Sequence, residues 1–114
     1  MPHFLLQAAY TPEAVQTLLR NPQDRRAAVQ APIERLGGKL RDLFLSFGDY
    51  DAVAIIEMPD NVAAAAIALA ISGGGACKAV KTTPLLTGAE AIDAAGKAAG
   101  SGYRSFASSA KAAG

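Results

Sequence analysis

The apolar and polar positions of this chain fall into short runs and spaced faces that separate strands from helices. His3 to Tyr10 is an apolar run with one glutamine, closed by Thr11-Pro12, and predicts a first strand. Thr11 suits an N-cap, Pro12 the first helical position and Glu13 the positive end of the helix dipole. A helix is therefore predicted from Pro12 to about Arg20, ending at Asn21-Pro22. Val29, Ile33 and Leu36 share one face of a second helical stretch. Pro32 lies inside it and cannot donate to the Ala28 carbonyl, so a kink or break is expected. Gly37-Gly38 closes the stretch as a C-terminal cap.

Lys39 to Phe47 and Tyr50 to Met58 are strand-like and are separated by Gly48-Asp49, a dipeptide suited to a type II′ hairpin turn. Pro59 ends the second of these strands and Asp60 is a good N-cap. Asn61 to about Ser72 then reads as an alanine-rich helix stopped by Gly73-Gly74-Gly75, and Ala76 to about Thr83 as a fourth strand before Pro84. The order strand, helix, strand, strand, helix, strand is the split βαβ pattern. It predicts an α+β, ferredoxin-like βαββαβ fold, with both helical layers on one face of a four-stranded antiparallel sheet. Right-handed crossovers put the first and third strands in the middle.

Composition narrows the picture. The 114 residues provide one domain, residues 1–87, and a tail, residues 88–114, whose Ala, Gly, Ser and Lys content predicts a frayed helix and then a mobile or partner-docked segment. Hydrophobic residues make up 51% of the chain, much of it alanine, so helices are expected to approach the sheet closely. A net charge of +1 gives no bulk attraction to nucleic acid or anionic lipid, and neither is expected as a partner. The clustered Arg20, Arg25, Arg26, Arg35, Lys39 and Arg41 are interspersed with acids and read as a solvated face. Met1-Pro2-His3-Phe4 has no basic n-region and Val62 to Ile71 is too short to span a bilayer, so a cytoplasmic location is expected. Cys77 is the single cysteine and His3 the single histidine, which leaves no metal site or cofactor to expect.

The two-residue turn pairs Phe47 with Tyr50, Ser46 with Asp51, Leu45 with Ala52 and Phe44 with Val53. Strand alternation then sorts Leu43, Leu45, Phe47, Tyr50, Ala52, Ala54 and Ile56 onto a helix-packed face. Asp42, Phe44, Ser46, Asp51, Val53, Ile55 and Glu57 fall on the open one. The centre of that open face is too apolar to be left in water, so a second copy, the tail or a ligand is expected to cover it.

At Gly48-Asp49-Tyr50-Asp51 the sequence resembles the GYD family. Leu36-Gly37-Gly38-Lys39-Leu40, Glu57-Met58-Pro59-Asp60 and the alanine-rich helix follow the family's pattern in the same order, over roughly residues 3 to 87. The resemblance implies a ferredoxin-like domain related to the dimeric α/β-barrel proteins, in which two sheets pack face to face. It implies no particular activity, because that wider group includes monooxygenases, isomerases, ligand-sensing modules and stress proteins.

The sequence therefore predicts a homodimer or higher homo-oligomer that binds a small molecule in an inter-sheet pocket. The expected lining is His3, Gln7, Phe44, Ser46, Tyr50, Asp51, Val53 and Ile55, with Tyr50 joining Asp51 only if a bulge re-aims one of them. No catalytic residue is assigned. His3 and Asp51 are the candidates should the protein instead be a cofactor-independent monooxygenase or isomerase acting on a small apolar or aromatic substrate. A structural or interaction module is the third class. Cys77 reads as a small buried residue with no neighbouring base.

Overall fold

A computed structural model describes residues 1–107. The elements are β1 (His3–Tyr10), α1 (Pro12–Arg20), α2 (Arg26–Arg35), β2 (Lys39–Leu45), β3 (Ala52–Glu57), α3 (Asn61–Gly73), β4 (Cys77–Leu85) and α4 (Gly88–Ala99). The strands form one antiparallel sheet in the order β2-β3-β1-β4, with β3 and β1 in the middle as the crossover rule requires. The caps form as the sequence predicts. The Thr11 hydroxyl accepts the Ala14 N–H at 3.1 Å, and the Asp60 carboxylate accepts the Ala63 N–H at 2.8 Å.

The hairpin keeps the predicted register with shorter strands. Leu45 pairs with Ala52 and Phe44 with Val53, and the Ser46 N–H donates to the Asp51 carbonyl at 2.8 Å. The turn itself occupies residues 46–51, with Gly48 at φ +129°. At the other end of β2 the pairing steps from Leu40–Ile56 to Asp42–Ile55, so Arg41 is an extra residue on β2. This bulge reverses the alternation and places Leu40 in the core opposite Ile56, which simple alternation along β2 would not do.

Helices α1, α2 and α3 share the face of the sheet that carries Phe4, Leu6, Ala54 and Ile56. The closed core joins these to Leu40, Ile33 of α2, Ala64 and Ile67 of α3, and Met58. Helix α2 meets the base of the hairpin through the Schellman cap that ends it. The Gly38 N–H donates to the Ile33 carbonyl at 3.0 Å and the Gly37 N–H to the Glu34 carbonyl at 3.0 Å, with Gly37 at φ +85°.

Several expectations are corrected. Helix α2 runs through Pro32 unbroken, because loss of one internal hydrogen bond is offset by the burial of Ile33 on its core face. Leu45 and Phe47 are 73% and 98% exposed instead of packed under helices, since the hairpin overhangs the helical layer. Strand β4 continues through Pro84 to Leu85, which an edge strand tolerates because its outward N–H needs no partner. Helix α4 runs from Gly88 to Ala99 as one continuous element. A Thr87–Glu90 capping box starts it, the Asp93–Lys97 pair at 3.3 Å braces it, and it passes Gly96 without interruption. Every residue of α4 is exposed, and the part of the expected tail beyond residue 107 lies outside the described residues.

Candidate functional site

The space between sheet and helices is filled at one end and open at the other. Toward the start of β1, Phe4 and Leu6 meet large side chains and the core closes. Toward its end the sheet presents Ala8, Ala52 and Ala54, and the helices present Ala14, Ala28 and Ala70. Small side chains on both walls leave a cleft of about 640 Å³. At this end the alanines do not draw the helices onto the sheet, whereas Ala54 and Ala64 meet in the closed core. Helix α1 has no buried residue, so nothing anchors it tightly over this end.

Leu6, Leu18, Val29, Leu43, Ile67 and Ile71 make the cleft walls apolar, whereas Tyr10, Gln23, Arg25 and Cys77 introduce polar groups. A second groove of about 510 Å³ shares Tyr10, Leu18, Arg25, Val29 and Leu43 with it and extends past Phe44 and Leu45 of the hairpin.

Local irregularity positions the polar end. Between Ala9 and Tyr10 the β1–β4 register shifts, so that Tyr10 lies opposite Cys77 and Lys78 becomes the extra residue. The Tyr10 N–H donates to the Asp51 carboxylate at 2.8 Å. The Asp51 N–H donates to the Ala8 carbonyl, also at 2.8 Å. Burial pushes the Tyr10 phenol above its ordinary value of 10.0, neighbouring Cys77 and Asp51 add to the effect, and Arg25 opposes it. Burial and the Asp51 charge likewise raise the Cys77 thiol. Both groups therefore stay protonated near neutrality and act as hydrogen-bond donors, which does not suit Cys77 to nucleophilic attack.

Tyr10 makes a pH prediction. A folded-state value raised above the unfolded one contributes stability that is complete below the unfolded value and is lost as pH rises through the folded one. The tyrosinate absorbance missing from Tyr10→Phe is expected to titrate above 10.0. Wild type should also lose more stability than Tyr10→Phe as the pH rises above 10.0. A difference band centred at or below the ordinary value would contradict this assignment.

Of the residues singled out from sequence, Phe44 lines the second groove and Asp51 holds the Tyr10 N–H beside the cleft, while the others line neither cavity. His3, Gln7, Phe44, Val53 and Ile55 have strand positions on the open face, where Gln7 lies between Val53 and Lys81. His3 Nε2 is 3.6 Å from one Glu57 carboxylate oxygen, and Arg41 Nε is 3.3 Å from the other. Ser46 Oγ donates to the Tyr50 carbonyl at 2.8 Å, and Tyr50 and Asp51 precede the first residue of β3. His3 and Asp51 stand at opposite ends of β1, roughly 20 Å apart at the rise of an antiparallel strand. One small molecule does not reach both. Tyr10, Arg25 and Cys77 are not among the site residues expected from sequence. Their signal is small residues at helix-facing positions of β1 and β3, where a closed core needs large ones.

Among the described residues no group of three or more His, Cys, Asp or Glu side chains is placed to hold a metal ion. No helix among them is long and apolar enough to cross a membrane.

Strand order, antiparallel pairing and helices on one sheet face define a protein of the ferredoxin-like α+β class. The family profile described as the GYD domain matches residues 4–95, extending past the hairpin and α3 into α4. The chain belongs to the GYD family. No curated protein and no solved structure matches it significantly.

Proposed function

We propose that this GYD-family protein binds a small, mainly apolar molecule in the cleft between its sheet and helices. The observation that carries this is the cleft itself. Its volume of about 640 Å³ lies within the range of small-molecule sites, and its apolar walls carry a few polar groups gathered near Tyr10. Ala70 lies on its wall and is exposed, so Ala70→Phe narrows the cleft without disturbing the core. In a thermal-shift screen of small apolar compounds, hits on wild type are expected to lose their effect in Ala70→Phe. A screen without hits, or hits unaffected by that substitution, counts against the cleft.

A second reading concerns assembly. Phe44 is 64% exposed, and Leu5, Val53 and Ile55 share its sheet face, opposite the face whose core residues pack against α2 and α3. A second copy stacked on this face would bury that patch and enclose His3, Gln7, Phe44, Val53 and Ile55 between two sheets, giving a homodimer with a ligand space of its own. Phe44→Asp places a charge on the most exposed large side chain of the patch and is expected to weaken self-association by roughly tenfold or more. Sedimentation equilibrium measures this directly, and a wild type that is monomeric at high concentration removes the proposal.

A further inference from the structure

The polar end of the cleft is unequal in donors and acceptors. Tyr10 presents a phenol and Cys77 a thiol, and burial keeps both protonated. Arg25 presents a guanidinium whose side-chain hydrogen bond is to the Gln23 amide oxygen at 3.4 Å, and no carboxylate lies within ion-pair distance of it among the described residues. The surrounding acids are mostly engaged. The Asp51 carboxylate accepts the Tyr10 N–H, and the Asp24 carboxylate accepts the Arg26 N–H at 2.9 Å. Glu13 lies in the first turn of α1, where the positive end of the helix dipole offsets its charge. Formal charges on the residues that line the cleft and groove balance, with Arg25 and Arg26 against Glu13 and Asp24, while Asp51 lies beside Tyr10 with its carboxylate engaged by the Tyr10 N–H. Any preference for a charged ligand must therefore come from where the donors stand.

We infer that the cleft selects an apolar molecule bearing one carboxylate, which Arg25 and Tyr10 receive at the mouth while the hydrocarbon lies along the alanine-lined walls. This inference rests on the binding function proposed above and specifies its ligand class. An ionised carboxylate is acceptor-only and matches the planar fork of a guanidinium. A neutral alcohol leaves Arg25 without a charge partner, and an amine brings a further donor to a donor-rich end.

Isothermal titration with dodecanoate, dodecanol and dodecylamine, each below its aggregation limit, tests this on the full chain. Dodecanoate is expected to bind roughly tenfold or more tightly than dodecanol, the scale of a charge-assisted hydrogen bond. Arg25→Gln should erase that preference while leaving dodecanol binding in place, and Ala70→Phe should weaken both ligands. Equal affinity for dodecanoate and dodecanol, preference for the amine, or a preference surviving Arg25→Gln overturns the carboxylate while the cleft stands. Failure of all three probes to bind, or dodecanoate affinity unchanged in Ala70→Phe, overturns both.

Discussion

Gly38→Ala is expected to destabilise the fold by about 2–3 kcal/mol, a large share of the stability of a domain this size. A Cβ built at Gly38 runs into the Met58 sulfur and the Glu57 backbone carbonyl, and lies 3.2 Å from Ile33 Cγ2. The sulfur belongs to a flexible side chain, but Met58 is fully buried and has little room to move. The carbonyl belongs to the residue that pairs with Lys39 at the start of the hairpin, so it cannot retreat without opening the ladder. Gly38 thus sets how closely the end of α2 approaches β3, and one methyl group forces the two apart. Gly48→Ala is the control. Its φ of +129° strains any side chain, yet nothing lies within 4 Å, so only the backbone penalty of about 1–2 kcal/mol applies. Urea denaturation should rank Gly38→Ala clearly below Gly48→Ala. Equal midpoints would show that the close approach at Gly38 relaxes at little cost.

The order of elements was legible because each boundary has a local cause, such as Thr11-Pro12, Gly37-Gly38 or Pro59-Asp60. Register within the hairpin was legible for the same reason. The two bulges were not. An extra residue at Arg41 or Lys78 satisfies the strand on either side of it, and only the neighbouring strand decides which residue is left out. Their consequences are large, since one turns Leu40 into the core and the other brings Cys77 opposite Tyr10. The cleft was hidden for a related reason. Alanine marks both a wall where helix and sheet touch and a wall where they do not. The difference depends on whether α1 carries an anchor, and Leu19, its outermost large side chain, is 73% exposed. Arg25 gave no sign in a run of mixed charges, because its proposed role depends on Tyr10, which lies fifteen positions earlier in the chain and on another element.

Asp51→Ala is expected to lower stability by about 1–3 kcal/mol, and Asp51→Asn by distinctly less. The β1–β3 ladder ends at Ala8–Ala52, so the Tyr10 N–H has no partner on β3. The Asp51 carboxylate supplies one at 2.8 Å, while its backbone N–H and carbonyl hold Ala8 and Ser46 at the same distance. One residue thereby clasps the end of β1 to the base of the hairpin. Removing the carboxylate leaves a half-buried N–H unpaired and frees Tyr10, so ligand affinity in the cleft should fall with stability. Asparagine keeps an acceptor oxygen in the same place and loses only the charge assistance. A carboxylate used as a base behaves in the opposite way, because an amide takes up no proton, and function would disappear in Asp51→Asn while stability remained. Measuring denaturation midpoints and dodecanoate affinity on both variants separates the two roles. Parallel losses, small in Asn and large in Ala, identify Asp51 as the fastening of the cleft, and full stability with lost function in Asn would return it to the chemistry.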